Sequence, residues 1–564
     1  MGPKPPEEGF PVPVFSQQNS PLKVFTPLAE DTLLATSLRG REEMGDTYAF
    51  RVGLVARAGA EVDFSKLLGA EARVELTLPG GARRNYCGII SEMRQGVGDE
   101  VFDTYSMTLV PAIHLLTLVR RSRTFQNQSA TQIIDQLLQP AFASAGRVSS
   151  NFAGQTPARV YCTQYRETDR DFLRRLCAES GVTWYWIHDV ENRVFKVCDN
   201  TSVSAPDLGE IPFRKTSGGT LDSTAIHEWQ LAQTIAPPAV EVADQHFQVT
   251  GQEIRASSPA PRQVTAGAVT LQAAVGIAPW EQDDLAASRF FDSVDPSGGE
   301  DANAIPAMFS QDGPQSEAGL RAALSRSVRA ELTGNCCQLA PGHSFRLRGR
   351  PGQDGEWLVV SAEHTVVVEG RYWAGEASAL RAEVRAECSP LSLRQGIWPI
   401  PPRPAIPGVL TGVVIGPPGS EMHVDRFGRV QVRFWWDRSN PSSSCWMRVA
   451  QSWAGNGWGA MFWPRVGHEV VVAFENGDPD RPIVVGSVYN SANMPPFPMP
   501  EGRYIGGWKS LTQGGDPSKN FHLVLLSDEK DGEVVHIHAE RSFIAHQESV
   551  QVSMRPNVDM SFQG

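Results

Sequence analysis

Two histidines near the end of the chain have a spacing that metal sites use. His536 and His538 alternate along the segment Val534–His538, whose other residues are typical of a strand. Because alternate residues of a strand project from the same face, both imidazoles are expected on one side. Imidazole nitrogens bind transition metals, so the pair is a candidate metal site. The competing interpretation is a strand with a structural role only. We favour that one, so no metal ligand and no cofactor are assigned.

Two acidic segments have the carboxylates of a metal site but the composition of turns. Residues 475–480 contain Asn-Gly and Asp-Pro, both of which are turn signals, and residues 527–532 end in Asp-Gly. The glycine and the acids of the second segment do not have the spacing of a calcium loop. We therefore predict a hairpin turn with surface acids at 475–480 and a second turn at 527–532.

Patterns that mark an enzyme are missing from the sequence. It contains neither the Gly-x-Ser-x-Gly of a nucleophile elbow, nor His-Glu-x-x-His, nor the Gly-Lys-Ser/Thr of a phosphate loop. Glu228 follows His227 but lacks the second histidine that a zinc site of this type needs. We therefore predict a protein that is not an enzyme and has no catalytic residues.

Tryptophans are concentrated between residues 435 and 463, as in a platform on which nucleic acid or sugar stacks. The chain has 51 basic and 63 acidic residues and a net charge of -12, which argues against nucleic acid. We expect instead that these rings pack in a core and between chains. The tryptophans concerned are Trp435, Trp436, Trp446, Trp453, Trp458 and Trp463.

The length of 564 residues predicts several domains, because one hydrophobic core organises at most roughly 250–300 residues. The first 14 residues lack the apolar core of a signal peptide, and no run of about 18 apolar residues is present to span a membrane. None of the cysteines forms a Cys-x-x-Cys pair, so we expect buried, reduced thiols. The cysteines are Cys87, Cys162, Cys177, Cys198, Cys336, Cys337, Cys388 and Cys445.

Hydrophobic alternation predicts a mainly β chain. It runs through residues 22–119 as strands and hairpins. A Pro-rich linker at 398–404 precedes a compact block, 406–490, whose five or six short strands, including 461–463, fit a small barrel such as an OB-fold. Polar strands hinged by the Asp531-Gly532 turn follow in the last 60 residues.

Three helices are predicted within this β pattern. The first follows Ser129, which forms a capping box with Gln132, and its apolar stripe ends at Pro140. The second begins near Thr168 and is followed by Gly181. The apolar spacing of residues 316–331 predicts the third.

Five short motifs stand in order between residues 419 and 490. They are Val-Asp-Arg-Phe-Gly-Arg at 424–429, Ser-Cys-Trp-Met-Arg-Val-Ala at 444–450, Pro-Arg-Val-Gly-His-Glu-Val at 464–470, Glu-Asn-Gly-Asp-Pro-Asp-Arg-Pro at 475–482, and Val-Gly-Ser-Val-Tyr-Asn at 485–490. This block resembles the OB domain of the VgrG family, the spike proteins of type VI secretion. Upstream, Gln-Tyr-Arg-Glu-Thr-Asp at 164–169 and Leu-Ala-Pro-Gly at 339–342 resemble the hub region of the same family.

The resemblance implies a mainly β fold with minor α content: tail-hub-like β-barrels, an OB-fold collar and the start of an intertwined trimeric β-helix needle. In such a trimer the histidine pairs of three chains would supply six imidazoles, enough for an octahedral metal. The implied divisions are an arm at 1–20, a hub of two barrel subdomains with helical insertions at 21–400, a Pro-rich linker at 401–405, the OB-fold at 406–490, a spacer at 491–520 and the needle start at 521–564.

The resemblance also implies a function, that of a structural spike which punctures target envelopes and carries effectors. The implied partners are two further copies, an Hcp-type tube, a PAAR-repeat tip protein, baseplate components, and secreted effectors with their adaptors. We expect assembly in the cytoplasm and outward delivery by contraction, without a signal peptide. One alternative is the baseplate hub–spike of a phage or phage-like particle. A spike with cell-wall hydrolase activity is the second alternative, for which residues 491–521 offer little room.

Overall fold

The computed structural model describes most of the chain. It describes residues 15–78, 80–142, 147–151, 158–188, 193–198, 205–215, 224–244, 246–248, 254–266, 269–272, 280–282, 312–369, 379–393, 395–397, 399–438, 445–544 and 546. Most of the predicted arm, residues 1–14, and the end of the predicted needle start, residues 547–564, lie outside the described residues. Strands dominate the described part, as the hydrophobic alternation predicts.

Six strands begin the hub, and all of them contribute buried side chains to one core. In the third strand Phe50, Val52 and Leu54 are buried while their neighbours are not, which is the pattern of a half-buried strand. The strands are β1 Leu22–Phe25, β2 Leu34–Glu43, β3 Ala49–Arg57, β4 Glu71–Thr77, β5 Arg83–Gln95 and β6 Phe102–Val110. A one-turn helix, α1 (Phe64–Leu67), lies between β3 and β4, and a 3-10 helix, Ala112–Thr117, follows β6.

Two amphipathic helices lie among the next five strands. The capping box is confirmed, since the Gln132 N–H donates to Ser129 Oγ at 3.2 Å and the Ser129 N–H donates to Gln132 Oε1 at 2.8 Å. The predicted end at Pro140 is wrong, because the proline lies inside the helix, where it removes one backbone donor from the last turn. The elements are β7 Arg120–Ser129, α2 Ala130–Phe142, β8 Arg147–Asn151, β9 Ala158–Thr168, α3 Asp169–Glu179, β10 Thr183–His188 and β11 Arg193–Cys198.

Helix α3 begins and ends as predicted. Thr168 Oγ1 accepts a hydrogen bond from the Asp171 N–H at 3.0 Å, which caps the first turn. Gly181 follows the helix with a φ of +66°, a conformation that glycine adopts without strain. The cap fixes the direction in which α3 leaves β9, and both elements contribute to the contact with the OB barrel.

The rest of the hub completes a twelve-stranded sheet. Its strand order is β1-β4-β5-β6-β3-β2-β21-β22-β19-β13, with β20 paired to β21 and β12 paired to β20. Smaller sheets are β10-β11-β8, β15-β14-β18, β16-β17 and β7-β9. The remaining hub elements are β12 Asp207–Pro212, β13 Ile226–Gln233, β14 Ala239–Asp244, β15 Ile254–Pro259, β16 Gln263–Ala266, β17 Val269–Gln272, β18 Trp280–Gln282, α4 Asp312–Leu324, β19 Val328–Gly334, β20 Ser344–Arg348, β21 Gly355–Glu369 and β22 Ala379–Pro390.

The predicted third helix is too long at its C-terminal end. Helix α4 ends at Leu324, and the chain re-enters the large sheet at Val328. From there Val328, Ala330 and Leu332 are buried in alternation and pair with β22 and β13. Period-two burial in a sheet therefore outweighs the helical spacing of the same residues.

A closed five-stranded barrel follows the Pro-rich linker, as predicted for an OB-fold. Its strands are joined in the order β23-β24-β25-β27-β26, and β26 pairs back to β23. The predicted strand at 461–463 is wrong, because the Phe462 N–H donates to the side chain of Gln451 at 2.9 Å rather than to a neighbouring strand. The barrel strands are β23 Leu410–Ile415, β24 Val430–Phe434, β25 Trp446–Val449, β26 Glu469–Phe474 and β27 Pro482–Val488.

The chain then forms an antiparallel three-stranded sheet, which we call the C-terminal sheet. It consists of β28 Ile505–Lys509, β29 Leu523–Ser527 and β30 Val534–His538, in that order. Strand β28 lies inside the segment predicted as a spacer, 491–520. The predicted turn between β29 and β30 is present, with Asp531 at a φ of +65°.

All eight cysteines are buried and none forms a disulfide in the described part of the chain, as expected for reduced thiols. Burial raises the pKa of the Cys177 and Cys388 thiols, which keeps them protonated. The described helices include none that is long and apolar enough to cross a membrane.

Candidate functional site: the hub–OB joint and the apolar C-terminal face

Two aspartates of the OB barrel are buried against the hub. Asp480 Oδ1 accepts a hydrogen bond from the backbone N–H of Thr163 in β9 at 2.6 Å, across 317 residues of sequence. Asp478 Oδ2 accepts from Arg403 Nη1 of the linker at 2.9 Å. The predicted turn at 475–480 is present, but the prediction of surface acids is wrong for these two residues. Local sequence does not identify their partners, which lie in other domains.

Ion pairs continue from this contact into the end of α3. Arg403 Nε lies 3.1 Å from Glu179 Oε1, and Glu179 also binds Arg159 at 2.9 Å and Arg175 at 3.2 Å. Arg175 in turn binds Glu167 Oε1 at 2.7 Å. Burial by itself lowers the pKa of Arg175, but Glu179 and Glu167 raise it above its ordinary value, so the guanidinium stays charged. The network therefore couples the last turn of α3 to the linker.

Aromatic residues of the hub enter the core of the OB barrel. Tyr161 and Tyr165 of β9 pack with the buried residues of β23, β24 and β26. The ring of Tyr165 meets Trp436 edge-on, with centroids 5.7 Å apart. Thr124 donates a hydrogen bond to the buried Asp437. We call this contact, formed by Tyr161, Thr163, Tyr165, Arg403, Asp478 and Asp480, the joint.

The C-terminal sheet presents a largely exposed apolar face. The strand register places Trp508, Val524 and Ile537 side by side across the three strands, and Leu526 beside Val535 in the next row. Directly paired residues share a face, so these five side chains form one surface. Trp508, Leu526, Val535 and Ile537 are 64%, 45%, 67% and 55% exposed. We call these five residues the apolar face.

A tryptophan-rich loop of the OB barrel, residues 451–463, extends this surface. Trp453 and Trp458 meet edge-on at 5.0 Å, and Phe462 stacks on Trp508 of the apolar face at 6.5 Å. Of the six tryptophans singled out in the sequence, Trp436, Trp446 and Trp463 are partly buried, as expected for core packing. The others, Trp435, Trp453 and Trp458, are exposed in the single chain.

The two candidate histidines lie together but on the other side of the C-terminal sheet. The register places His536 and His538 opposite Leu525 and Leu523, on the face away from Ile537. Their ring centroids are 6.5 Å apart, and His538 packs on Phe521 at 4.9 Å. Among the described residues no group of three or more His, Cys, Asp or Glu side chains is arranged to hold a metal ion.

Both halves of the molecule match known protein families. The family described as "Phage tail baseplate hub (GPD)" matches residues 41–370, more than half of the chain. The family described as "Type VI secretion system/phage-baseplate injector OB domain" matches residues 420–489. The type VI secretion system spike protein VgrG1a of Pseudomonas aeruginosa is 34% identical over an alignment of 530 residues that covers 92% of this chain and 77% of that protein. The chain belongs to the VgrG family.

Membership in the VgrG family confirms the resemblance predicted from the OB motifs and the hub. A second relative, the actin cross-linking toxin VgrG1 of Vibrio cholerae, is 29% identical over 92% of this chain and 45% of the toxin. A solved E. coli type VI secretion component, described as similar to the T4 bacteriophage tail proteins gp27 and gp5, superposes with a TM-score of 0.56 at 18% identity. It covers 83% of this chain and 100% of the E. coli chain, and it supports the predicted hub and OB architecture. The chain is thus a structural spike protein.

Proposed function

We propose that this VgrG protein acts as a homotrimer whose three C-terminal sheets bury their apolar faces against one another. The exposed apolar face is the observation that carries the proposal. It holds a tryptophan and four aliphatic side chains and continues into the aromatic loop of the OB barrel. Contiguous exposed apolar surface of this kind marks an interaction site, and closed symmetry lets identical faces cover each other.

Burial of the apolar face would favour association of the C-terminal sheets. Full burial of a Val, Leu or Ile side chain is worth about 1.5–3 kcal/mol, so burying a half-exposed one is worth about 1 kcal/mol. With Trp508 included, the face of each chain contributes about 5 kcal/mol. Three copies also cover the free edges of β28 and β30, which would otherwise expose unpaired backbone groups.

In this proposal the trimeric hub is seated on an Hcp-type tube, and the C-terminal sheets point toward a PAAR-repeat tip protein. The spike assembles in the cytoplasm with baseplate components, and sheath contraction drives it, with its effectors, through a target envelope. The division into an arm, hub, linker, OB-fold, spacer and needle start stays part of the proposal. A phage or phage-like baseplate hub–spike is the alternative, and the genes that surround this one distinguish the two.

The mass of the purified full-length protein in solution tests the trimer. We expect three times 61.6 kDa for the wild type. The variant Ile537→Lys places a charge in the apolar face and should dissociate the C-terminal sheets. The double variant Val535→Lys/Ile537→Lys should dissociate them further. Val534→Lys is the matched control, because Val534 lies on the same strand and is 49% exposed, but on the opposite face.

Two measurements decide between the outcomes. Light scattering gives the oligomeric state, and limited proteolysis after residue 490 shows whether the C-terminal sheets still protect each other. A wild-type monomer would overturn the proposal. So would a double variant that is as trimeric and as protease-resistant as the Val534→Lys control.

We further propose that the spike has no catalysis of its own. Relatives such as VgrG1a of Pseudomonas aeruginosa are named spike proteins, and the three enzyme motifs considered above are missing from the sequence. A cell-wall hydrolysis assay on the purified trimer tests this proposal against the hydrolase alternative. Release of soluble cell-wall fragments above a heat-inactivated control would overturn it.

A further inference from the structure

A buried carboxylate in the hub is surrounded by three basic side chains. Glu42 of β2 accepts hydrogen bonds from Arg84 Nη2 at 2.7 Å, from His364 Nε2 at 3.1 Å and from His188 Nε2 at 3.2 Å. All four side chains are buried, and they come from β2, β5, β21 and β10. Because Glu42 is ionised beside Arg84, it can only accept, so both histidines must carry their proton on Nε2.

The other ring nitrogen of each histidine is therefore an acceptor, and the two have different donors. His188 Nδ1 accepts from the backbone N–H of Cys87 at 3.2 Å. His364 Nδ1 accepts from the hydroxyl of Tyr86 at 3.2 Å. A backbone N–H has no lone pair to offer, whereas a hydroxyl can rotate and accept instead. If His364 is protonated, its Nδ1–H can donate to the Tyr86 hydroxyl. If His188 is protonated, its Nδ1–H faces the backbone N–H of Cys87, and neither group can accept.

His188 sits where two sheets of the hub meet. Strand β10 belongs to the small sheet β10-β11-β8, whereas Glu42 and Cys87 belong to the twelve-stranded sheet. We propose that neutral His188 holds these two sheets together through its hydrogen bonds to Glu42 and Cys87, and that its protonation releases β10 from β5. The hub would then be a pH-sensitive element of the spike, closed near neutral pH and loosened at mildly acidic pH.

Several charged and titratable groups face His188, and their net effect on its pKa has the direction that the proposal requires. Burial lowers the pKa of His188, Glu42 raises it in part, and Arg84 and His364 lower it again, so the net shift is downward. His343, whose pKa burial lowers to about 4, adds a further neutral imidazole nearby. The Tyr48 ring lies 4.9 Å and the Phe50 ring 6.0 Å from the His188 ring, and Cys87 contributes its backbone N–H.

The sign of the pH dependence follows from the lowered pKa. An unfolded histidine binds a proton below about pH 6.5, whereas folded His188 resists it, so acid favours the open form. The stabilisation is present above about pH 6.5 and is lost as the pH falls below that value toward the folded pKa. Glu42 has a pKa well below its ordinary value, so its contribution is lost only below about pH 4.5. Between about pH 4.5 and about pH 6.5 the change in stability therefore arises from the histidines and not from Glu42.

Hydrogen exchange at the Cys87 amide measures directly whether its hydrogen bond to His188 is intact. After correction for the intrinsic rate, we expect its protection in the full-length wild type to fall about tenfold or more between pH 7 and pH 5, as the linkage of one proton predicts. The variant His188→Gln keeps one amide donor and one carbonyl acceptor but does not titrate, so its Cys87 amide should be protected equally at both pH values. His364→Gln is the matched control and should behave like the wild type.

Two results of hydrogen exchange at the Cys87 amide would overturn the proposal. One is wild-type protection that is equal at pH 7 and pH 5, and the other is an equal loss in His188→Gln. A measurement on the wild type alone covers the case in which the variant does not fold. Hydrogen exchange at the imidazole C2 position gives the titration midpoint of each histidine, and we expect that of His188 to lie below that of His364. A midpoint of His188 at or above about pH 6.5 would contradict the proposal.

Discussion

The geometry of the joint predicts that substitution of Asp480 weakens the contact between β9 and the OB barrel. In Asp480→Ala the buried N–H of Thr163 loses the carboxylate that accepts from it at 2.6 Å. A buried donor left without a partner costs about 1–3 kcal/mol, and a hydrogen bond to an ionised group lies in the upper part of that range. We therefore expect the contact between β9 and the OB barrel to open more easily by about 2 kcal/mol, a factor of roughly 30 in the opening equilibrium.

Amide hydrogen exchange at Thr163 measures this opening in the intact protein. Global unfolding is less suitable, because a chain of several domains does not unfold in one step. Protection of the Thr163 amide should fall by the same factor of roughly 30 in Asp480→Ala. In Asp480→Asn the carbonyl oxygen still accepts, so the loss should stay below about 1 kcal/mol.

A second aspartate provides the control for this experiment. Asp516 is half-exposed, and its carboxylate accepts from the Ser518 N–H within its own turn, remote from the joint in sequence. Asp516→Ala should therefore leave the Thr163 amide unchanged. Equal protection of Thr163 in Asp480→Ala and the wild type would refute the assignment of Asp480 as the acceptor that holds the joint. An equal loss of Thr163 protection in Asp516→Ala would show that the effect of Asp480→Ala is not specific to the joint.

Three further experiments test the ion pairs, the packing of the hub and metal binding by the histidines. Arg175→Met leaves Glu167 without its arginine and removes one of the three arginines that bind Glu179. It should cost about 3–5 kcal/mol in urea unfolding of the hub. Arg41→Met, at a half-exposed ion pair, should cost less than about 1 kcal/mol. Gly342→Ala should lower the thermal midpoint of the hub by several degrees, since φ is +78° and a Cβ would lie 2.1 Å from the Tyr185 ring; an unchanged midpoint would contradict that geometry. Replacing both histidines of the C-terminal sheet by glutamine should leave the trimer and its melting temperature unchanged, and a drop matched by chelator treatment of the wild type would instead establish a metal there.

Features coded by neighbouring residues were predictable from the sequence. The capping box of Ser129 and Gln132, the Thr168 cap and the Gly181 terminator each depend on groups no more than a few residues apart. The barrel strands follow from alternation over five or six residues between turn signals. In all these cases the stabilising partner lies within one short window of sequence, so pattern and structure agree.

Features that depend on remote partners were missed. The joint aspartates, Asp478 and Asp480, have the local composition of an exposed turn, and only the hub strand and the linker make them buried. Strand β28 contains Gly506 and Gly507, which disfavour strands, and its pairing with β29 holds it in place. The acid-sensitive cluster around Glu42 gives no sequence signal, since its members are separated by tens to hundreds of residues.

The polar chemistry of the joint fits the mechanical task of a spike. Two apolar surfaces can slide past each other by an ångström or two with little loss of contact, because the hydrophobic effect has no direction. A buried hydrogen bond loses most of its energy over the same displacement, and each buried charge that leaves its partner adds a desolvation cost. Asp480 on Thr163 and Arg403 between Asp478 and Glu179 therefore fix both position and rotation of the OB barrel on the hub. Tyr161 and Tyr165 supply the apolar attraction. The polar contacts prevent the OB barrel from sliding on the hub when force acts along the spike.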